Sequence, residues 1–477
     1  MESTGVVLPA DGKGVRSSTA LGRAVVSAAL REVDPVGADA VLRESNWRGG
    51  YPPHLRRLVE AGLTSESAAV TIAEAGLAAL HERMRVITAT GTEAPLAEVF
   101  TQPVQRPLVT RTVTGITSLD TFTLPVGGRR LEDETLLFQL DLWDQRGALE
   151  PSAAEAIREL ALHPDWLPLQ GTRVVVLGAG AEMGPLQALL SWGAEVIAVD
   201  LPRADLWRRI EKVARASAGK LHLPQGADGQ PGADLVNDLP AVAQWLATFE
   251  GPLVLGNYAY ADGAENLRLS MATDALAVEL LGRRDDVSLA YLATPTDVFG
   301  VPAEVIEFSA AAYERARLKG LRSLLRGISL GRLLQRNYRP GPEPGVADSV
   351  ISQQGPNYLL AKRVHRWRAT VARRAGKRVS LLVAPPTRTR SVMKNRALAA
   401  AYSGAHHFGV DVFNPSTSNV LMAGLLVHDL VAGGVAVSEP WREEAAKAVH
   451  GGLWRGPYAP GSALGLALAL GWGVTRG

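Results

Sequence analysis

Between Thr172 and about Gly433, short apolar runs alternate with segments of helical period. The runs Arg173–Leu177, Glu195–Val199, Pro252–Leu255, Val287–Leu292 and Arg378–Val383 are nearly continuous in apolar character rather than alternating. A strand buried on both faces has that pattern, so the segment predicts a parallel sheet with helices on each side. Ahead of it, from Leu21 to about Trp166, the pattern changes twice. Helical segments come first, the clearest being Ser65–Met84 behind a Thr64 cap, and then threonine-rich extended pieces such as Thr110–Ile116. Val126-Gly127-Gly128-Arg129 predicts a hairpin turn. The expected division is a mobile start over 1–20, an α+β accessory region over 21–166, the α/β domain over 167–440 and a tail over 441–477. Residues 303–350 break the rhythm and read as a helical insertion or lid.

The first run, Val174-Val175-Val176-Leu177, leads into Gly178-Ala-Gly180-Ala-Glu-Met-Gly184, then a helix to about Trp192, then a strand ending just before Asp200. Glycine permits the tight reversal, its missing side chain lets backbone N–H groups approach a diphosphate, and a helix N-terminus adds partial positive charge. Asp200 follows Gly178 by 22 residues, where a carboxylate can take the hydroxyls of an adenosine ribose. The fold class expected is therefore α/β, a Rossmann-type doubly wound parallel sheet with an N-terminal α+β accessory region and a helical insertion. The cofactor expected is NAD or NADP. Asp200 favours NAD by repelling a 2′-phosphate, whereas Arg203, three residues on, could receive one. Asp234 could border the adenine, or it or Asp238 could cap a helix.

Composition narrows the remaining chemistry. The chain has 477 residues, 47% of them hydrophobic, enough for a large core. Its 50 basic and 48 acidic residues nearly cancel, so the overall field gives no reason to expect nucleic acid. The absence of cysteine removes disulfides, thiol nucleophiles and thiolate metal sites. His406, His407 and Asp411 do not form a ligand pattern, and no metal is expected. With neither a signal-type start nor an apolar run of spanning length, a soluble cytoplasmic protein is expected.

Farther on, Asn357-Tyr358-Leu-Leu-Ala-Lys362 opens a helical segment, with Tyr358 and Lys362 four residues apart on one face. An ammonium there would lower the phenol's pKa and make it a usable proton donor or acceptor. The order of glycine turn, Tyr291-Leu-Ala-Thr294-Pro-Thr296 strand end, Tyr-x-x-x-Lys and Ala384-Pro385-Pro386-Thr387 resembles the short-chain dehydrogenase/reductase superfamily over about residues 171–435, nearest its extended branch. Leu253-Val-Leu-Gly-Asn257-Tyr-Ala259 resembles that family's fourth strand and turn. The resemblance implies Tyr358 as general acid/base and Lys362 as its tuner and ribose ligand. It implies Thr294 or Thr296 on the reacting oxygen. Asn257, Pro385 and Thr387 would then lie beside the cofactor, whose diphosphate rests on Gly178, Gly180 and Gly184.

The insertion adds Arg315, Arg317, Lys319, Arg322, Arg326, Arg332, Arg336 and Arg339, with Leu318, Leu321, Leu325 and Ile328 forming an apolar stripe. This predicts a lid with a solvated basic face; its sharper use is an anionic or lipid-like substrate and peripheral membrane contact. The apolar tail Ala463–Trp472 predicts packing on the lid or a contact between subunits. The leading function is an NAD(P)-dependent oxidoreductase interconverting a carbonyl and a hydroxyl on a small or lipid-like molecule. The alternatives are an S-adenosylmethionine-dependent methyltransferase, which shares a Gly-x-Gly turn and following acid, and a non-catalytic nucleotide-binding protein.

Overall fold

The computed structural model describes residues 5–119, 121–316, 319–339, 341, 343–433 and 439–474. Arg317 and Leu318 of the basic stripe lie outside the described residues. Seven strands form one sheet: β1 (Leu108–Thr114), β2 (Arg173–Leu177), β3 (Glu195–Val199), β4 (Lys220–Gly226), β5 (Leu253–Asn257), β6 (Val287–Ala293) and β7 (Val379–Val383). Their spatial order is β7-β6-β5-β2-β3-β4-β1. All neighbours are parallel except β1, which joins β4 antiparallel at the edge. Chain direction across the sheet reverses between β2 and β5, the switch point where a doubly wound sheet opens a crevice at its carboxyl edge.

The α/β expectation is met, and side-chain alternation explains its layers. Val174 and Val176 enter one core with Val196, Ala198 and Val254, while Val175 and Leu177 enter the other with Ile197, Val199 and Leu255. Burying each such side chain stabilises the fold by roughly 1.5–3 kcal/mol, so both faces must be covered. Helices Ala264–Arg283 and Pro356–Arg374 cover one face, backed by Ser18–Leu30 and Glu66–Arg83. Helices Pro151–Leu162 and Pro415–Val431 cover the other.

Three expectations about the amino-terminal third are corrected. Residues 5–7, taken as part of a mobile start, form a buried strand on Arg85–Ile87, because Val6 and Val7 find an apolar seat and Val6 N–H reaches Val236 O at 3.0 Å. Residues 21–166 do not stand apart from the sheet, since β1 supplies its edge strand with a seven-residue register against β4. Ser65 rather than Thr64 caps the Glu66–Arg83 helix, accepting from Ala68 N–H at 3.1 Å. The hairpin turn falls where expected, with Gly127 and Gly128 both at positive φ (57° and 80°) and Val126 paired with Arg129.

The insertion holds helices Ala303–Arg315 and Lys319–Ile328, and returns as a strand, Gly345–Asp348, antiparallel to Val298–Val301. The tail forms a helix, Pro460–Val474, packed on Arg396–Gly404.

Candidate functional site

At the carboxyl end of β2 the chain turns through Gly178, whose φ is +81°. A Cβ there would lie 2.6 Å from Ala259 Cα, so both conformation and space demand glycine. A Cβ at Gly180 would strike Leu206. The N–H groups of Gly178 and Ala179 donate to Val199 O, and that of Gly180 donates to Asp200 Oδ2 at 2.8 Å. Those donors are therefore spent within the fold. The N–H groups of Glu182 and Met183 carry no hydrogen bond among the described residues, and they are the turn's open anion donors. The following helix, Leu186–Ser191, starts later and is shorter than the spacing suggested.

Asp200 sits at the mouth of the turn, its second oxygen accepting Leu201 N–H at 2.7 Å. Arg203 is exposed at the start of the next helix and forms no ion pair among the described residues. Asp234 holds its own loop, accepting from Val236 N–H and Asn237 Nδ2. That loop lies against Asp200, with Ala233 N–H on Asp200 O at 2.9 Å.

Across the switch point, the loop after β5 connects the turn to the phenol. Ala259 touches Gly178, and the neighbouring Tyr260 ring stands edge-on to Tyr358 at 6.0 Å between centroids. Tyr358 is half-buried near the start of the Pro356–Arg374 helix. A chain of side chains ends on its oxygen. Gln354 Nε2 donates to Thr296 Oγ1, the Thr296 and Thr294 hydroxyls share a hydrogen bond at 2.8 Å, and Thr294 lies against the phenol, whose pKa it lowers. Burial pushes the Tyr358 pKa up, the Thr294 bond draws it partly back, and the charge of Asp297 pushes it up further.

The expected lysine–tyrosine coupling is corrected here. Lys362 Nζ donates to Leu292 O at 2.9 Å, at the end of β6, and is not among the groups shifting the phenol. Burial lowers the Lys362 pKa to about 8. The shared helix face brings the two residues to the same cleft, but the ammonium takes the nearer backbone acceptor.

Asn257 is buried rather than open to the cleft. Its amide donates to Thr273 Oγ1 at 2.7 Å and lies 3.0 Å from His365 Nε2, while burial holds the His365 pKa down at about 3. Pro385 and Thr387 are buried just after β7, and the Thr387 hydroxyl is already paired with Pro385 O and Ser418 Oγ. A surface pair joins the glycine turn to the segment after β7. Glu182, in the glycine turn, takes both Arg390 N–H and Arg390 Nε at 2.8 Å.

Sequence reading missed three parts of this site. Gln354 bears no motif, yet its Oε1 is buried without a partner among the described residues. Asp297, fully buried, accepts from Arg363 and Arg366 at 2.8 Å each, and Arg366 also binds Glu444. The detectable signal was an acid inside the apolar run Thr296-Asp297-Val298-Phe299, with two arginines three residues apart on a buried helix face. The Glu182–Arg390 pair joins residues 208 apart in sequence and leaves no local trace.

No family model matches the sequence, and neither does any curated protein. Among solved structures, the chain is similar to a short-chain dehydrogenase/reductase from Serratia marcescens at 16% identity, over 57% of this chain and 95% of that one, with a TM-score of 0.33. It is similar to a double mutant of a Serratia marcescens short-chain dehydrogenase/reductase at 15% identity, over 60% and 99%, with a TM-score of 0.35. A thiolation–reductase di-domain from an archaeal non-ribosomal peptide synthetase is matched at 12% identity over 49% and 59%, with a TM-score of 0.27.

Proposed function

We propose that the protein is an NAD(P)-dependent oxidoreductase that interconverts a carbonyl and a hydroxyl, with Tyr358 moving the proton. The observation that carries this reading is the hydroxyl chain Gln354–Thr296–Thr294 ending on Tyr358, one loop away from a glycine turn at the switch point of the sheet. With Gln354 donating to Thr296, the two threonine hydroxyls can turn to donate toward the phenolic oxygen, and a phenolate formed there would be stabilised by that chain.

The turn fits a dinucleotide's diphosphate. Gly178 lets the loop after β5 pack against the turn, and Glu182 and Met183 present open N–H groups. Asp200 would take the adenosine ribose, which favours NAD, and the Asp234 loop would border the adenine. A bound nicotinamide would supply or accept the hydride. Lys362, held near neutral pKa by burial, would turn from Leu292 O to a ribose hydroxyl. Thr294 would position the substrate oxygen beside Tyr358, and the unpartnered Gln354 Oε1 would accept a hydrogen bond from the substrate.

Tyr358→Phe keeps the ring and removes the proton. Turnover should fall by about 10²–10⁴-fold, measured as NADH oxidation across a panel of aldehydes and ketones. NADH affinity by calorimetry should stay within about threefold, because the ring's packing persists. Wild-type turnover in this variant would end the mechanism. Heat from S-adenosylmethionine but from neither NADH nor NADPH would replace the reading with methyl transfer. Tight NADH binding without turnover in the wild type would leave a nucleotide-binding protein.

A further inference from the structure

Charge is distributed very unevenly over this molecule. Residues 315–339 hold eight Arg and Lys and residues 386–410 hold four, and neither stretch contains an Asp or Glu; 451–477 has no acid either. The whole chain carries +2, so with those twelve cations set aside the remainder is at −10. The near balance of the total conceals a strongly basic end.

The fold brings the three segments together. Leu334 N–H and Gln335 N–H reach Ser462, and Ala459 N–H reaches Gln335 O, which ties the chain after the Lys319–Ile328 helix to the start of the Pro460–Val474 helix. That helix runs antiparallel along Arg396–Gly404 at backbone contact distance: a Cβ on Gly404 would strike Ala467 O, and one on Gly471 would strike Ala400 O. Its far end thus lies by the beginning of Arg396–Gly404, next to the short helix Arg390–Lys394.

Large aliphatic side chains are exposed at both ends of this arrangement. Leu324, Ile328 and Leu330 are 58%, 74% and 87% exposed, and at the other end Met393 and Leu470 are 45% and 50% exposed. On the first two segments Arg332, Arg339, Arg388, Lys394 and Arg396 are exposed and form no ion pair among the described residues. Not every cation of the insertion contributes: Arg322 and Arg326 turn inward onto Tyr313, and Arg336 is paired with Glu314.

We propose that this end of the protein docks on the surface of an anionic lipid bilayer. Cations attract the headgroups at roughly 1 kcal/mol each near the surface, and the aliphatic side chains gain by entering the acyl boundary. A phosphate backbone of nucleic acid would satisfy the arginines but leave Leu324, Ile328, Leu330 and Leu470 in water, so the combination favours lipid. The inference rests on the surface alone and stands apart from the redox reading.

The test is co-sedimentation of the full chain with phosphatidylcholine vesicles made with and without phosphatidylglycerol. Binding should need phosphatidylglycerol and fade at high salt. The double variant Leu324→Glu/Ile328→Glu should bind more than about tenfold more weakly, and Arg332→Gln about fivefold more weakly. These positions are exposed, so both variants should keep the wild-type circular dichroism spectrum and NADH affinity. No binding to anionic vesicles, equal binding to neutral ones, or unchanged binding by both variants overturns the proposal. So does retention on an oligonucleotide that anionic vesicles fail to displace.

Discussion

Two aspartates stand just past the carboxyl ends of parallel strands, and they hold their surroundings in opposite ways. Asp200, after β3, is half-buried and accepts two backbone N–H groups, one from the glycine turn. Asp297, after β6, is fully buried and accepts from two guanidinium groups. The glycine-turn side of the crevice is shaped by backbone, glycine conformation and local turns. The phenol side is shaped by side chains that come from distant parts of the chain. A site of the first kind tolerates loss of a carboxylate, because water can replace it; a site of the second kind does not, because the arginines left behind remain buried.

The largest expected effect follows from that difference. Asp297→Ala leaves Arg363 without its carboxylate and Arg366 with Glu444 and Val298 O, at an expected loss of about 3–5 kcal/mol of stability. Asp200→Ala should cost about 1 kcal/mol, the scale of a hydrogen-bonded surface acceptor, while weakening NADH binding. Urea denaturation of the two variants measures the contrast directly. Equal losses would mean that the buried pairs contribute no more than the turn does.

The two sides also differ in how far the sequence reveals them. Val174-Val175-Val176-Leu177 announces a doubly buried strand, and Gly178 follows it directly, so the turn and Asp200 are legible from neighbours in sequence, whereas the strand order and β4 are not. β1 was expected as an extended piece but not as part of the sheet, because a threonine-rich edge strand exposes most of its residues and finds β4 only after 105 intervening residues. Residues 5–7 were read as mobile because three apolar residues in a polar start carry little pattern. The phenol was found from its spacing to Lys362, but its hydrogen-bond partners were not. Spacing on a helix places two side chains on one face, and competing acceptors such as Leu292 O decide where an ammonium goes.

Lys362 provides a smaller effect, read through pH. Burial holds its pKa in the folded protein down at about 8, against 10.5 for a free lysine. Between those values the unfolded chain binds more protons than the folded one, so stability rises with pH through that window. Below about pH 8 the cost of holding a charged ammonium in the cleft is present in full. Lys362→Met removes that cost. The variant should gain on the order of 1 kcal/mol near neutrality, less than a fully buried charge would give, because the side chain keeps some solvent contact. Its denaturation midpoint should also lose the rise that the wild type has between pH 8 and 10.5. A parallel pH profile in wild type and variant would mean that Lys362 is as well solvated folded as unfolded.

The smallest effect lies where the two sides meet. Glu182 belongs to the glycine turn and Arg390 to the segment after β7, and their ion pair is largely open to water. Breaking it should change stability by no more than about 1 kcal/mol. Its consequence for binding depends on sign. Glu182 sits among the open N–H groups of the turn, so its charge opposes a diphosphate, and Arg390 offsets that charge at a distance of 2.8 Å. Arg390→Ala should therefore weaken NADH binding by about fivefold at low salt, and Glu182→Gln should strengthen it by a similar factor, an energy on the order of 1 kcal/mol for a solvent-screened contact. Both changes should shrink as salt rises. Calorimetry on the two variants sharpens the comparison at its boundary: opposite signs put the diphosphate on the turn, whereas affinities equal to wild type in both would remove it from there and leave the glycine-turn side without its ligand.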